Sequence, residues 1–289
     1  MSFSEVLSRD AQLIQARLDL ALSDKADLPV VHAMRYSLQG GKRLRGFLVL
    51  EGARMLGVAE GRAIAAAAAI EALHAYSLIH DDLPCMDDDD LRRGQPTVHV
   101  KWDEASAVLA GDALQTLAFE LLCDESLGTA EVRMALVSSL AKASGAEGMV
   151  LGQALDIAAE TAAVPLTLDQ ITALQAGKTG ALIGWAAKAG AVIAAADTTP
   201  LAQYAKALGL AFQIADDILD VTGDASVAGK RLGKDAAAGK ATFVSLLGLD
   251  GARTQAKHLV AEAEASLAPY GATAENLIAA ARFVIARER

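Results

Sequence analysis

Aromatic side chains make up only 4% of this chain and there are two cysteines; 26 Lys and Arg face 36 Asp and Glu, a net charge of −10. Each shortage excludes something. With few aromatics among 53% apolar residues, Ala, Leu, Val and Ile must fill the core, and these favour helix over strand when β-branched residues do not cluster. Cys85 and Cys123 cannot build a disulfide framework, as expected in a reducing compartment. The acidic balance speaks against general nucleic-acid binding, although a local basic patch or a bound divalent cation can invert the field inside a cleft. The opening Met1-Ser2-Phe3-Ser4-Glu5 lacks the basic and apolar regions of a secretory signal. The greasiest stretches, 63–79 and 180–196, are interrupted by Glu71 and Lys188 and are too short to read as membrane spans. The expectation is a cytoplasmic protein with no membrane span.

Also missing are alternating β-branched stretches, internal repeats, low-complexity tracts and Pro/Ser-rich linkers. Helical periodicity takes their place. It predicts helices over 4–23, from Pro29 to the Gly40-Gly41 stop, and over 44–57, 60–83, 103–125, 129–160, 167–195, 200–222, 240–249, 251–268 and 274–287. The polar, Gly-rich 222–239 segment is the longest loop, and long loops in compact domains are often functional. A chain of 289 residues could hold one large domain or two ordinary ones. The unbroken helical pattern predicts a single all-α domain over 1–289, a helical bundle.

Two acidic clusters stand out. The first, Asp81-Asp82-Leu83-Pro84-Cys85-Met86-Asp87, runs on into Asp88, Asp89 and Asp90; the second is Asp216-Asp217-Ile218-Leu219-Asp220. Both follow apolar helix, where carboxylates are costly unless something positive compensates them. In the second, Asp216 and Asp220 share a helix face with Gln213 one turn upstream. Neighbouring carboxylates there repel by about a few kcal/mol per pair at an effective dielectric of ~20. A hard divalent cation removes that repulsion, and oxygen-only ligands favour Mg²⁺ over zinc. A lone DDxxD also fits a solvated acidic face, but Phe212, Ile214 and Ile218 mark this helix as mostly buried. In the first cluster Pro84 ends the helix, leaving Asp81 and Asp82 at its C-terminus and 85–90 as a turn. The helix dipole is unfavourable to acids there, which makes sense if metal ions are their partners.

Basic residues complete the pattern. Arg92-Arg93 follow the acidic turn; Gly40-Gly41-Lys42-Arg43-Leu44-Arg45 puts flexible backbone and three cations at a helix start suited to anions. Lys178-Thr179-Gly180 and Gly239-Lys240-Ala241-Thr242 suit phosphate oxygens, and no GxxxxGK[ST] nucleotide loop occurs. Singly each cation reads as a surface charge. Together with two acidic clusters they imply a cleft holding phosphate groups through metal and Arg/Lys contacts.

Gly-Gly-Lys-Arg-Leu-Arg, Ser77-Leu78-Ile79-His80-Asp81-Asp82-x-x-x-x-Asp87 with Leu91-Arg92-Arg93-Gly94, Gly152-Gln153-x-x-Asp156, Lys178-Thr179-Gly180 and Phe212-Gln213-x-x-Asp216-Asp217-x-x-Asp220 occur in that order. In this the chain resembles the trans-isoprenyl diphosphate synthases, and among them the bacterial farnesyl diphosphate synthases, from about residue 30 onward. It departs at Val244, where that family usually has Pro. The resemblance implies a deep central cavity with the two acidic motifs at its mouth, and usually a homodimer. By matching position, Asp81, Asp87 and Asp216 would bind three Mg²⁺ ions, with Mn²⁺ as a substitute, and Asp82, Asp217 and Asp220 would hold metal-bound water. Arg92, Lys178, Lys240 and Lys230 would grip the allylic diphosphate; Lys42, Arg45, His74 and Arg93 would hold isopentenyl diphosphate.

The implied reaction condenses isopentenyl diphosphate head-to-tail (1′-4) with dimethylallyl and then geranyl diphosphate, giving (E,E)-farnesyl diphosphate and diphosphate. Ionisation of the allylic C–O bond comes first, attack by the isopentenyl double bond second, and the departed diphosphate takes the proton last. Lys178, Thr179 and Gln213 are the catalytic candidates, the last two as carbocation stabilisers. Residues 222–239 and Arg287-Glu288-Arg289 are candidate lids. Tyr76, a little over one turn before Asp81, is a candidate floor for the growing chain, with Ser77 beside it. In the resembled family, an aromatic there together with the Pro84-Cys85 enlargement goes with a fifteen-carbon product. Geranylgeranyl or geranyl diphosphate is the runner-up product. A class I terpene cyclase would replace the second DDxxD with an Asn/Ser/Glu motif. A non-catalytic subunit of a heteromeric synthase would show degraded acidic motifs, and a calcium-binding protein would need a Dx[DN]x[DN]G loop.

Overall fold

The structure, a computed structural model, describes residues 1–162, 164–222 and 241–286. Lys230, Lys240, most of the 222–239 loop and the basic end at 287–289 lie outside them. The architecture is all-α. Helix α1 (Phe3–Ala21) starts at a Ser2/Glu5 capping box and α2 (Pro29–Ser37) at a proline in its first turn. They are followed by α3 (Leu44–Met55), α4 (Glu60–Asp81), the short α5 (Val98–Lys101) and α6 (Glu104–Leu122).

Helix α4 is the axis of the bundle, packed by α1, α3, α6 and α10 (Ala181–Ala194). Ala63, Ala65 to Ala69 and Ala72 on it are fully buried. Alanine loses no rotamer entropy on burial and lets neighbouring helices approach closely. By length and apolarity alone α4 and α6 could each cross a membrane, although the sequence read only 63–79 and 180–196 as its greasiest stretches and both as too short. In α4, however, 72% of the most apolar window is buried inside the protein, the position of a core helix.

One buried polar cluster on α3 is tightly paired. Arg54 of α3 donates to Asp10 of α1 at 2.7 Å and to Glu60 of α4 at 2.5 Å, and also contacts Glu51. Burial pulls the Arg54 guanidinium down, but these carboxylates outweigh it and hold it above its ordinary range. Asn276, on α13 (Glu275–Ala286), donates to Glu51 at 2.8 Å and ties the C-terminal helix into the same cluster.

The expected 129–160 helix is two helices, α7 (Ala130–Ser144) and α8 (Met149–Glu160), because Gly145 and Gly148 take non-helical backbone angles. The expected 167–195 helix is continuous but not uniform. Helix α9 (Leu168–Gln175) passes through one π turn, Ala176–Gly180, into α10. Helix α11 (Thr199–Thr222) carries the second acidic motif. The two helices expected over 240–268 are joined as α12 (Phe243–Ser266), kinked at Gly248, whose φ is 70°. One strand pair also exists where none was expected: Leu91–Arg92 (β1) and Gln95–Pro96 (β2) pair antiparallel. Two residues a side are too few to show alternation. The turn reveals them instead, since Arg93 (φ 54°) and Gly94 (φ 74°) are both left-handed, as a tight hairpin turn requires.

Candidate active site

The first wall of the site is the C-terminal end of α4. Asp81 ends the helix and Asp82 caps it. Beyond Pro84 the chain folds back, with Asp87 N–H donating to Asp81 O at 2.8 Å and Asp89 N–H to Asp82 O at 3.3 Å. These bonds satisfy terminal carbonyls of the helix while leaving the acids at its negative end. Asp82 is 3% exposed and accepts from Arg92 Nε (3.0 Å) and Nη2 in a bidentate pair. Burial pulls Arg92 down, yet the Asp82 hydrogen bonds and the surrounding carboxylates hold it raised. Among the described residues Asp81 has no such partner. Burial, aided by Asp87 and Asp82 and opposed by Lys178, pushes its carboxyl up to about 6.

Arg93 lies over the Gly-rich turn. A Cβ on Gly41 would come within 2.8 Å of its guanidinium carbon, and Arg93 Nη1 donates to Gln39 O at 3.3 Å. Gly40 and Gly41 hold φ of 72° and 81°, which positions Lys42 to Arg45 at the start of α3. The cations of this segment diverge. Arg43 is buried and spent on structure, donating to Gln15 and Leu38 O and facing Glu71 at 3.5 Å. Lys42 Nζ sits 5.1 Å above the Phe283 ring. Arg45 reaches the cavity, and its buried Nε has no hydrogen-bond partner among the described residues. Burial lowers Arg45, while Glu71 and Asp216 pull it back up. His74, beside it, is held well below its ordinary value by burial and then by Arg45 and Arg93, so it stays neutral.

The second wall is built from α8, the π turn and α11. A Cβ on Gly152 would overlap the backbone N–H of Lys178, so glycine is what lets α8 lie against the turn. Across that contact Lys178 Nζ donates to Asp156 Oδ2 at 2.6 Å. Thr179 Oγ1 donates to Gln213 Oε1 at 3.4 Å, Gln213 Nε2 to Asp217 Oδ1 at 3.0 Å, and Phe243 N–H to Asp217 Oδ2 at 2.8 Å. Asp217 therefore joins α11 to the first residue of α12, while Asp216 faces Arg45 electrostatically.

Between the walls is a cavity of about 580 Å³. Arg45, His74, Asp81, Lys178 and Thr179 supply its polar lining; Tyr76, Leu83, Met86, Val108, Met149, Ile157 and Leu182 supply the apolar lining, with Ser77 and His80 also at its surface. Of the residues given roles from the sequence, Arg92, Arg93 and Asp82 instead border an adjoining hollow, on the side of α4 facing α2. Two contributors went unassigned in the sequence reading. Gln153 lines the cavity with a buried amide nitrogen that has no partner among the described residues, and Asp156 anchors Lys178. Their motif was visible, but a contact between residues 156 and 178 is not legible from spacing.

Among the described residues no three Asp, Glu, His or Cys side chains converge into a preformed ion site. The donor set still fits hard divalent cations: the acids offer oxygen only, and Asp81 is half-buried with its charge only partly offset by Lys178 and Arg92.

A family model described as polyprenyl synthetase matches residues 29–269. The chain is 53% identical to the farnesyl diphosphate synthase of Escherichia coli, over 83% of this chain and 82% of that protein. It is 41% identical to geranylgeranyl pyrophosphate synthase 9, chloroplastic, of Arabidopsis thaliana, over 99% and 81% respectively. The apo crystal structure of an FPP/GFPP synthase from Zymomonas mobilis superposes with a TM-score of 0.89 at 46% identity, covering 98% of each chain.

Proposed function

The chain belongs to the polyprenyl synthetase family, and on that premise we propose that it is a short-chain trans-prenyltransferase, a (2E,6E)-farnesyl diphosphate synthase acting as one domain over 1–289. It joins isopentenyl diphosphate to dimethylallyl and then to geranyl diphosphate. The observation that carries this reading is a cavity with the cations Arg45 and Lys178 and the Asp81 carboxylate in its lining and Tyr76 among its apolar residues.

Lys42, Arg45 and Arg93 hold the isopentenyl diphosphate, with neutral His74 contributing a hydrogen bond. The orphaned Nε of Arg45 suits this task, because a bound phosphate oxygen would satisfy it. Arg92 and Lys178 hold the allylic diphosphate, aided by Lys230 and Lys240. Asp81, Asp87 and Asp216 are the carboxylates for Mg²⁺, with Asp82, Asp217 and Asp220 supporting them. Mg²⁺ held by these carboxylates, three ions by the family resemblance and replaceable by Mn²⁺, would supply positive charge for the leaving diphosphate. Lys178 and Arg92 add fixed positive charge there, and Asp156 keeps the ammonium oriented. The Thr179 hydroxyl and Gln213 amide oxygen are dipoles able to stabilise the allylic cation. No side-chain base is required, since the departed diphosphate can accept the proton. The apolar lining excludes water, which would quench the cation.

By the same family reading the working form is a homodimer in the cytoplasm, and exposed Leu109 on α6 and Met134 on α7 are available to a second copy of the chain. The decisive experiment incubates purified protein with Mg²⁺, isopentenyl diphosphate and each allylic starter separately, then sizes the products. Farnesyl diphosphate is expected from dimethylallyl and geranyl starters; no condensation with any starter overturns the reading.

A further inference from the structure

We propose that His80 and Gly111 set the length of the product together with Tyr76: His80 is a positioning residue that holds the Tyr76 ring in place, and Gly111 is the notch in α6 that receives the imidazole. This rests on the prenyl-chain reading of the cavity. Tyr76 and His80 are one helical turn apart on the same face of α4, and both line the cavity. Their rings meet edge to face, with centroids 5.2 Å apart and planes at 83°. Tyr76 is 8% exposed, so its ring can move only where a neighbour yields.

His80 is the neighbour that is fixed. Its Nε2 lies 3.1 Å from Val108 O, and because a carbonyl only accepts, Nε2 carries the proton and donates. Asp112 Oδ1 is farther off, at 4.0 Å. The ring can reach Val108 O only because residue 111 lacks a side chain. A Cβ there would overlap the imidazole at Nε2 and Cδ2. The load path therefore runs from α6 through the imidazole to the tyrosine ring.

The imidazole is about the size of one isoprene unit. Removing it opens a space of that size behind Tyr76, between α4 and α6, into which the phenol can swing. The chain then gains room for a further five-carbon addition. Filling the notch acts in the opposite sense, since a methyl at 111 drives the imidazole off α6 and back toward the cavity.

The test is a product-length cycle with excess isopentenyl diphosphate, using His80→Ala, Gly111→Ala, the double variant and His80→Gln. His80→Ala should raise the ratio of geranylgeranyl to farnesyl product by about fivefold or more, corresponding to roughly 1 kcal/mol in the partition between release and elongation. Gly111→Ala should lower that ratio and let geranyl diphosphate accumulate. In the double variant the methyl occupies part of the vacated space, so the ratio should fall between His80→Ala and the unaltered protein. His80→Gln, whose amide can donate to Val108 O, should restore farnesyl product. A residue important only for folding would lower total turnover without moving the ratio. An unchanged ratio in His80→Ala overturns the proposal, as does a ratio that Gly111→Ala leaves unchanged or raises. If His80→Ala does not fold, Gly111→Ala and His80→Gln still decide. Failure of the unaltered protein to condense at all would refute the prenyltransferase reading; farnesyl product with indifferent variants refutes only this one.

Discussion

Replacing Asp81 by Asn should stabilise the metal-free protein while abolishing turnover. Burial raises the Asp81 carboxyl from its ordinary 3.8 to about 6, so the folded chain binds this proton more tightly than the unfolded one. A group with a raised folded pKa contributes its full stability below about 4, and that contribution is lost as pH climbs through about 6. The shift corresponds to an upper limit of about 3 kcal/mol at pH 7.5, and partial solvent access reduces the expected gain to about 1–2 kcal/mol. Asparagine fills the same volume with no charge to desolvate. In a chain of this size that gain is about 2–3 °C in melting temperature. Thermal unfolding in chelator at pH 7.5 and again near pH 4 reads the effect, which should vanish at the lower pH. Mg²⁺ with inorganic diphosphate should then stabilise the unaltered protein more than the variant, because only the former keeps the carboxylate. If the variant melts at or below the unaltered protein in chelator at pH 7.5, the idea that Asp81 is held in an unfavourable charged state without metal is wrong.

Tyr76→Ala should shift products to geranylgeranyl diphosphate or longer in the same sizing assay; an unchanged distribution removes Tyr76 as the floor. Asp156→Asn, which loosens the 2.6 Å anchor of Lys178, should lower kcat/KM for the allylic starter by about 10- to 100-fold while the melting temperature changes little. Equal losses for both substrates would instead mean that Asp156 supports the cavity as a whole. Arg54→Met removes the most buried cation from Asp10 and Glu51 and leaves them only Arg9 and Asn276, so urea unfolding should show a loss of about 3 kcal/mol at constant slope. A loss under about 1 kcal/mol would show that the cluster rearranges around the gap.

Most of the helices were legible because apolar periodicity and caps are local signals. Pro29, the Gly40-Gly41 stop and Pro84 each fix a boundary within their own turn. What the sequence hid depends on long-range packing. Gly145 and Gly148 could have been tolerated within one helix, and the π turn at Ala176–Gly180 leaves no mark in the spacing. The residue types of the site were also readable, but not how they pair. Arg43 and Arg45 look equivalent as letters, yet one is consumed by Gln15, Leu38 and Glu71 and the other reaches the cavity. Asp216 and Asp217 look equally suited to metal. Only the fold reveals that Asp217 holds the start of α12 through Phe243.

The Arg93-Gly94 turn bears on which sequence changes this molecule can accept. Arg92 reaches back to Asp82 at the end of α4, while Arg93, the next residue, lies over Gly41. Both strand positions are already paired, Leu91 with Pro96 and Arg92 with Gln95. A substitution at the turn disturbs one contact. An inserted or deleted residue reverses the alternation of the ribbon and turns both guanidinium groups away together. Insertions and deletions should therefore be tolerated in exposed links such as residues 23–28 and purged from 91–96, where chain length itself is under selection.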